Sequence, residues 1–267
     1  MKALLKRLLP ESFRKKTRRW RGAWIARLAQ RTNLTREPLS HIFIQGQGIE
    51  IGPLNWPQDV PAGVDVKIVD QMSRADLCLR FPEFAAIIPP VDFVSKIDTL
   101  EAIKDASQDF VVANHVLEHS ENPILAMSNM LRVLKPNGVL FLTLPDKRYT
   151  FDHLRPVTPL SHLIRDFDDG PDWSRLDHYR EAGKFLKNLP DSALDAYAAD
   201  LAAKGQDTHF HVWTQSEMFE LLVYLQREQQ LGFDIEAMSK TGLEVIFVLR
   251  KHDGNPIVPD EGMHQVL

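Results

Sequence analysis

Three residues in the first third of the chain have the types and spacing of a nucleoside site. Glu50 and Gly52 end one apolar segment, GIEIG, and Asp70 ends the next, VKIVD. A carboxylate at the end of the second strand can accept hydrogen bonds from both hydroxyls of a ribose. Glycine at the end of the first strand lets the backbone approach a ligand closely. The pattern therefore predicts a nucleoside pocket at the ends of two neighbouring strands.

The sequence after Gly52 indicates which kind of nucleoside fits. Gly46, Gly48 and Gly52 could belong to a dinucleotide fingerprint, whose glycines lead directly into a helix that binds pyrophosphate at its N-terminus. Here the chain continues as PLNWP, and Pro61 follows. Proline is poorly tolerated inside a helix, so a long helix starting at Gly52 is disfavoured. This favours a nucleoside without phosphates, such as S-adenosylmethionine (SAM).

These residues can form one pocket only if a sheet brings the strand ends together. Short segments rich in β-branched or aromatic residues predict strands at 47–52, 65–70, 91–97, 109–114 and 138–144. Between the last two, Pro123 suits the first turn of a helix that ends at Pro136-Asn137-Gly138. Such alternation predicts right-handed crossovers and a mostly parallel sheet with helices on both faces. Ligands bind at the carboxyl ends of such strands.

The last part of the chain follows a different order. Thr214 and Glu217 form a capping-box pattern that predicts a helix to about residue 230. The segments FDIEAMSK and LEVIFVLRK, with Gly242 near the turn, predict an antiparallel hairpin. Residues 146–208 interrupt this order, and predicted helices at 172–189 and 191–205 make them a structured insertion.

The composition limits the class of protein. Of the 267 residues, 25% are charged and 44% are hydrophobic, as in a soluble globular protein. Cys78 is the single cysteine, which excludes an internal disulfide and a thiolate cluster for zinc and favours a reducing compartment. No apolar run reaches the length of a membrane span, and the apolar part of MKALLKRLLP is too short for a signal peptide. We therefore expect a cytoplasmic protein that does not cross a bilayer.

Charge is distributed unevenly along the chain. Residues 1–31 contain eleven Lys or Arg and a single acid, Glu11, although the net charge of the whole chain is -4. Apolar residues including Trp20 and Trp24 recur among these cations at helical spacing, so residues 1–40 are predicted to be a basic amphipathic extension. Two alternatives stay open: the extension packs on the acidic body, or it contacts an anionic membrane at its inner face or an acidic partner. The acidic body does not favour a nucleic-acid partner.

Four segments resemble the class I SAM-dependent methyltransferases. They are GIEIG, VKIVD, DFVVANHVLEHSENP and LRVLKPNGVLFLTLP, and they cover about residues 45 to 146. The resemblance implies a domain over residues 41–267 with the Rossmann-like methyltransferase fold. That fold is α/β and doubly wound, with a mostly parallel seven-stranded sheet, a C-terminal antiparallel hairpin and, in this chain, a helical insertion after the fifth strand. It also implies SAM as the cofactor.

A narrower resemblance concerns the acceptor of the methyl group. The segment PDKRYTFDHLRPVTPLSHL and the later HFHVW resemble a bacterial subgroup of methyltransferases associated with glycosyltransferases and cell-surface polysaccharide. This implies O-methylation of a sugar, a polysaccharide or a precursor. The alternative is a non-catalytic, nucleotide-binding or membrane-docked partner of a glycan-assembly complex, and a nicotinamide-dependent oxidoreductase is a third hypothesis.

The resemblance also implies cofactor contacts at the ends of the first four strands. Glu50 and Gly52 would border the methionine part of SAM, Asp70 would bind its ribose, and Asp98 would contact adenine. The complete predicted set is Glu50, Gly52, Pro53, Asp70, Asp98, Asn114 and His115.

Transfer to a hydroxyl would also need a base whose pKa is near neutral. Asp152 and His153 follow the fifth strand on the expected substrate side and are the first candidates, and His115 is the next. Transfer without a protein base, or through a water molecule, stays open as an alternative.

Basic residues beside these candidates could bind an anionic substrate. Lys147, Arg148 and Arg155 are close in sequence, and arginine suits the carboxylate or phosphate groups of acidic or nucleotide-linked sugars. The alternative is that these cations pair with the neighbouring acids Asp146, Asp152, Asp166 and Asp168.

His209 and His211 alternate on a segment predicted to be extended, so they are expected to point to one face. There they could bind a metal ion together with His119 or Asp152. Two histidines are a weak metal signal, and we therefore predict a substrate-side or structural role for them and no metal site.

Overall fold

One seven-stranded sheet forms the centre of the computed structural model, which describes residues 34–252. The strands are β1 (Gln47–Ile51), β2 (Asp65–Asp70), β3 (Phe93–Val94), β4 (Gln108–Asn114), β5 (Leu134–Pro145), β6 (Phe233–Thr241) and β7 (Glu244–Lys251). Their order across the sheet is β3-β2-β1-β4-β5-β7-β6. Strands β1 to β5 pair in parallel, whereas β7 is antiparallel to both β5 and β6. The predicted doubly wound fold with its C-terminal hairpin is confirmed.

Helices cover both faces of this sheet. They are α1 (Arg36–Phe43), α2 (Arg74–Arg80), α3 (Pro123–Val133), α4 (Leu160–Asp169), α5 (Arg175–Leu186), α6 (Asp191–Ala203) and α7 (Gln215–Arg227). In β4, Val111 packs in the larger apolar core and Phe110 in a second core on the opposite face. Both side chains are fully buried, as expected for a central parallel strand that is covered on both sides.

Local signals explain where α3 and α7 begin. The side chain of Asn122 accepts a hydrogen bond from the backbone of Leu125, and Pro123 occupies the first turn of α3. Thr214 and Glu217 form the predicted capping box at the start of α7, which ends at Arg227.

The third strand is shorter than predicted. Instead of residues 91–97, β3 contains only Phe93 and Val94, which pair with Val69 and Asp70. Because β2 ends at Asp70 and is the sole neighbour of β3 in the sheet, there is no backbone left for β3 to pair with beyond this point.

The insertion contains one helix that the sequence did not predict. The structure forms α5 and α6 within the predicted segments 172–189 and 191–205, but it adds α4 before them. Two short 3-10 helices, Lys147–Tyr149 and Phe151–Leu154, connect β5 to α4.

The first described residues belong to the body of the protein. Leu39 of α1 and Ile44 pack in the second core with Phe110, so the predicted boundary at residue 40 falls inside a helix that covers the sheet. The Ser239 hydroxyl donates a hydrogen bond of 2.7 Å to the carbonyl of Leu34. The basic segment 1–31 lies outside the described residues. None of the described helices combines the length and apolar character that a bilayer span requires.

Candidate functional site

A cleft of about 920 Å³ opens at the carboxyl edge of the sheet. The loop after β1, the ends of β2 and β4, the turn between β6 and β7 and the start of α1 all contribute to its wall. The lining includes residues 35–37, 52–54, 56–59, 70–72, 114–116 and 241–244, together with single residues such as Ser95, Ile97, His119 and Asp207. This is the edge where open α/β sheets bind ligands.

The loop after β1 turns through two left-handed residues. Gly52 has φ +58° and Leu54 has φ +49°. An added Cβ at Gly52 would lie 3.6 Å from Val116, which is ordinary contact, so the backbone conformation is what favours glycine there. Gly52, Pro53 and Leu54 all line the cleft, as the sequence predicts for a loop that covers a cofactor.

Glu50 shapes this loop without lining the cleft. Its side chain is buried, and both carboxylate oxygens accept from the backbone N–H of Gln58, at 2.9 and 3.0 Å. Burial raises the pKa of Glu50 to about 7. The predicted contact with the cofactor is therefore corrected to an indirect role, in which Glu50 holds the far end of the loop.

Asp70 faces the cleft from the end of β2. One carboxylate oxygen accepts from the backbone N–H of Met72 at 3.0 Å, which leaves the other oxygen for a ligand. Burial raises the pKa of Asp70. This position fits the predicted contact with ribose hydroxyls.

Asn114 supplies a buried polar atom at the end of β4. Its side-chain N–H donates to Gln58 at 3.0 Å, while its Oδ1 is buried and accepts no hydrogen bond from any described residue. A buried acceptor without a donor is costly, so this atom fits the ammonium group of an amino-acid moiety. Together with Asp70, it makes the lining suitable for SAM.

Asp98 does not line the cleft. Its carboxylate accepts a hydrogen bond from the Ser120 hydroxyl, and its backbone carbonyl accepts from Asn129 at 2.7 Å. Ser95 and Ile97, earlier in the same segment, lie on the wall instead. The predicted adenine contact at Asp98 is thus corrected to a structural link between the third strand and the loop after β4.

His115 lies between two carboxylates at the end of β4, with φ +55°. Its Nε2 is 2.7 Å from Glu244, and its Nδ1 is 3.6 Å from Glu118. Burial opposes the charged form, but these two acids outweigh it and raise the pKa of His115 to about 9. The ring is therefore protonated at neutral pH, and the structure does not support the prediction that it acts as a general base.

Glu118 is a fully buried acid behind His115. Neither of its carboxylate oxygens has a hydrogen-bond partner in the described part of the chain, and its nearest cation is the His115 ring. Burial disfavours its charge, but His115 outweighs the burial and lowers the pKa of Glu118. The two side chains form an ion pair at the base of the cleft.

His119 and Asp207 form a second pair on the cleft wall. Nδ1 of His119 lies 2.8 Å from Asp207 Oδ1. Burial works against protonation, but Asp207 and Glu118 outweigh it and raise the pKa of His119. The pairing orients the ring and leaves Nε2 as the nitrogen available to a ligand. From the sequence, His119 was considered only as a metal ligand, and Asp207 was not singled out.

Asp152 contacts residues of the insertion and of the segment that follows it. It is buried, with Oδ2 2.7 Å from Nδ1 of His209 and Oδ1 2.9 Å from Arg155. Although burial opposes the charge, these partners lower the pKa of Asp152. Asp152 therefore anchors neighbouring groups, and it does not line the cleft as a catalytic base would.

The other residues predicted around the fifth strand also lie outside the cleft lining. His153 is exposed to solvent, and its carbonyl accepts a hydrogen bond of 3.3 Å from buried Lys147. Arg148 binds both carboxylate oxygens of Asp146, and the fully buried Arg155 pairs with Asp152. The alternative that these arginines pair with neighbouring acids is the arrangement observed.

His209 and His211 point to different groups of side chains, contrary to the predicted common face. His209 contacts Asp152 and lies against His119, with ring centroids 4.7 Å apart. His211 is fully buried, and its Nε2 is 3.0 Å from Asp166. The metal set considered from the sequence, in which both histidines join His119 or Asp152, does not form.

Sequence reasoning missed residues whose position depends on long-range folding. These residues come from three distant parts of the chain: Gln58 and Asp207 reach the cleft from loops, and Glu244 reaches it from the start of β7. His119 alone had a local signal, because it ends the HVLEH segment directly after β4.

A family model described as "Methyltransferase domain" matches residues 42–223. The match covers β1 to β5, the insertion and most of α7, and therefore includes every wall of the cleft except the start of α1 and the turn between β6 and β7. No curated protein matches the chain.

Several solved structures share the fold at low sequence identity. A Rhodobacter sphaeroides protein described as a candidate zinc-dependent alcohol dehydrogenase has 15% identity and a TM-score of 0.50, with 83% of this chain and 91% of that chain covered. A SAM-dependent methyltransferase from Thermotoga maritima has 16% identity and a TM-score of 0.45, with 90% and 97% covered. The CurJ carbon methyltransferase has 12% identity and a TM-score of 0.41; 82% of this chain is covered, but only 50% of that chain. At sequence identities this low, the similarity is evidence for a shared fold alone.

Proposed function

The chain belongs to the methyltransferase domain family and uses SAM as its cofactor. From this premise we propose that it methylates a hydroxyl group of a sugar, a polysaccharide or a precursor of either. Membership of the family determines the reaction class, which is methyl transfer from SAM. The proposal concerns the acceptor and the residues that prepare it.

The observation that carries this proposal is the pair of histidines on the cleft wall. His115 and His119 each contact a carboxylate, and both lie on the same loop after β4, next to Asn114. A hydroxyl is a weak nucleophile until its proton is removed, so transfer to oxygen benefits from a positioned base. The sugar is supported by the resemblance of the segment that starts at Pro145.

The chain's own residues would bind the cofactor by hydrogen bonds. SAM supplies a methyl group on a sulfonium, which a nucleophile held in line can displace. Asp70 accepts from the ribose hydroxyls, the free Oδ1 of Asn114 accepts from the ammonium group, and the left-handed turn at Gly52 keeps the loop close to the ligand.

The two histidines have different roles in this proposal. His115 is protonated at neutral pH and both of its N–H groups face carboxylates, so it holds Glu244 in place on the cleft wall and does not take the proton of the acceptor. His119, oriented by Asp207, accepts the proton of the acceptor hydroxyl on its Nε2 when its ring is neutral, and because its pKa is raised the neutral fraction grows with pH. Asp207 stabilises the imidazolium that results.

Calorimetric titration tests the cofactor part of the proposal. Asp70→Ala should weaken the affinity for SAM and for S-adenosylhomocysteine by about 30-fold, because two hydrogen bonds to a ribose are lost. Asp65→Ala is the matched control, since Asp65 is exposed at the opposite end of the same strand. Equal affinities of the two variants would remove Asp70 from the site.

The acceptor is identified by mass spectrometry of surface glycans from cells with and without the protein. We expect methyl ethers that are present only when the protein is active, and purified protein should transfer label from SAM to the unmethylated glycan. Label that appears on nitrogen, on carbon or on lipid, with no methyl ether on sugar, would refute the acceptor while leaving SAM binding intact.

We also propose that residues 1–31 bring the protein to an anionic surface, either the inner face of a membrane or an acidic partner, from a cytoplasmic location. The proposal rests on the excess of Lys and Arg in this segment, which lies outside the described residues.

A further inference from the structure

Three histidines and an aspartate meet at the interface between the insertion and the segment before α7. His162 and Asp166 lie one turn apart on α4, His178 is on α5, and His211 precedes α7. Asp166 and His211 are fully buried, and His178 is 7% exposed. None of the four lines the cleft described above.

One potential ligand atom from each of these residues lies near the other three. The four ligand atoms lie within 4.8 Å of one another. Nε2 of His211 is 3.0 Å from Asp166 Oδ2, Nε2 of His162 is 3.3 Å from the same oxygen, and the Nε2 atoms of His162 and His178 are 3.1 Å apart. Tetrahedral zinc with bonds of about 2.1 Å holds its ligand atoms about 3.4 Å apart, close to these separations.

The neutral ring of His211 cannot donate a hydrogen bond to both of its contacts. Its Nδ1 lies 3.0 Å from the backbone carbonyl of Ser120, which can only accept, so Nδ1 carries the proton. In the neutral ring Nε2 then presents a lone pair to the carboxylate of Asp166. Two acceptors face each other at 3.0 Å, an arrangement that a cation between them would stabilise.

The groups around the four residues orient them as the outer partners of a metal site do. Ser120 fixes the tautomer of His211, and the Ser174 hydroxyl donates to the second oxygen of Asp166 at 2.9 Å. The ring of Trp213 is stacked on His211, with centroids 5.9 Å apart, and Trp173 lies against His162. These indoles provide an apolar shell on two sides.

We propose that His162, Asp166, His178 and His211 bind one divalent transition-metal ion, with zinc as the ion best suited to three imidazoles and a carboxylate. The protein supplies all four ligands, which is the pattern of a structural zinc site rather than a catalytic one. The ion joins α4 and α5 to the segment before α7, and through Ser120 to the loop after β4. This inference is independent of the identity of the methyl acceptor.

Metal analysis of the untagged full-length protein, purified without chelators, gives the first test. We expect about one equivalent of zinc per chain. His162→Gln and His178→Ala should lose most of this metal, whereas His41→Ala, which changes a histidine half exposed to solvent, should keep it. His162 is partly exposed, so its replacement should leave the fold intact.

Two further measurements separate metal binding from folding. Removal of the metal by a chelator should lower the Tm of the wild-type protein by several degrees, and zinc should restore it, while the Tm of His178→Ala responds to neither. Cobalt added to the metal-free protein should give the visible absorption of a tetrahedral site, and His162→Gln should abolish it.

The proposal is overturned if the wild-type protein contains no metal above background, gives no cobalt absorption and has a Tm that is independent of zinc. These residues would then form a hydrogen-bonded network of an imidazolium and a carboxylate. It is also overturned if His209→Ala loses the metal and His178→Ala retains it, because the ion would then belong to Glu118, His119 and His209, a second group of candidate ligands among the described residues.

Discussion

At the scale of single residues, the pair of His115 and Glu118 combines strain, burial and charge. His115 takes a left-handed backbone conformation that costs a β-carbon residue about 1 kcal/mol or more. It persists because the ring reaches Glu244 at the cleft and Glu118 below it. Strained residues of this kind concentrate at functional sites, which agrees with the position of His115 on the cleft wall.

The raised pKa of His115 makes stability depend on pH. Because the folded-state pKa of about 9 exceeds the ordinary value of 6.5, the native protein binds more protons than the unfolded chain between these values. The stabilisation is complete below pH 6.5 and is lost as the pH rises through 9. We expect the free energy of unfolding to fall by about 2 kcal/mol over this range, measured by urea denaturation at several pH values.

Two variants test the origin of this dependence. His115→Gln should remove it and should also destabilise the protein by about 3 kcal/mol at pH 7, because the buried acid Glu118 loses its nearest cation. His41→Gln, in which the replaced ring is about half exposed, should change neither quantity. If both variants keep the wild-type pH dependence, then the His115 pair does not cause it.

His119 should control the pH dependence of catalysis. If its Nε2 accepts the proton of the acceptor, the rate requires the neutral ring, so kcat/KM should rise with pH and level off above the raised pKa of His119. His119→Gln should lower kcat by about 100-fold and leave the affinity for SAM within about twofold. A flat pH profile with full activity of the variant would argue for transfer without this base.

At the scale of elements, a buried arginine fixes the insertion to the body. Arg155 donates to Asp152, to Glu181 on α5 and to the backbone carbonyl of His209, and its side chain is fully buried. One guanidinium thus joins three separate segments. The arginine that the sequence suggested as a substrate ligand holds the insertion together instead.

Replacement of this arginine should unfold the insertion or destabilise the whole protein. We expect Arg155→Met to cost about 4 kcal/mol, since Asp152 and Glu181 lose their cation in a buried environment. Arg165→Met is the matched control, because Arg165 is half exposed and pairs with exposed Asp169, and it should cost less than about 1 kcal/mol. Thermal and urea denaturation give both values, and equal costs would refute the anchoring role.

The sequence predicted elements whose signals are local. The capping box at Thr214, the proline at the start of α3 and the alternation of strands and helices depend on neighbouring residues, and the structure confirms them. The length of β3 depends on where β2 ends, and α4 has no side-chain cap because its N-cap residue is Pro159. Neither fact can be read from a periodic pattern.

The site was predicted less completely because side chains reach it over long distances. Four predicted residues lie at strand ends and line the cleft: Gly52, Asp70, Asn114 and His115. Their position could be predicted because the apolar pattern of each strand shows in the sequence where that strand ends. Asp207 comes from the end of the insertion, and its approach to His119 is fixed by the packing of α5 and α6. No spacing in the sequence encodes that contact.

At the scale of the whole molecule, charge separates the chain into two parts. Residues 1–31 hold eleven of the 32 Lys and Arg but only one of the 36 acids. An acidic body is repelled by an anionic surface, so a basic segment is needed if the protein acts on a substrate displayed there.

Deletion of residues 1–31 should abolish binding to vesicles of anionic lipid and leave SAM affinity unchanged. Binding of the full-length chain should weaken as salt increases from 50 to about 300 mM, because the attraction is screened. Sedimentation with vesicles that contain phosphatidylglycerol, with neutral vesicles as the control, measures both effects. Equal binding of the full-length and shortened chains would show that this segment is not the membrane contact.

The contact between Leu34 and Ser239 determines where that basic segment is attached. Leu34 is held against β6, and the residues that follow it, 35–37, lie on the wall of the cleft. The described chain therefore starts directly before residues that line the cleft. If residues 1–31 bind a surface that displays the acceptor, this covalent link raises the effective concentration of the acceptor at the cleft, and weak intrinsic affinity is then sufficient for turnover.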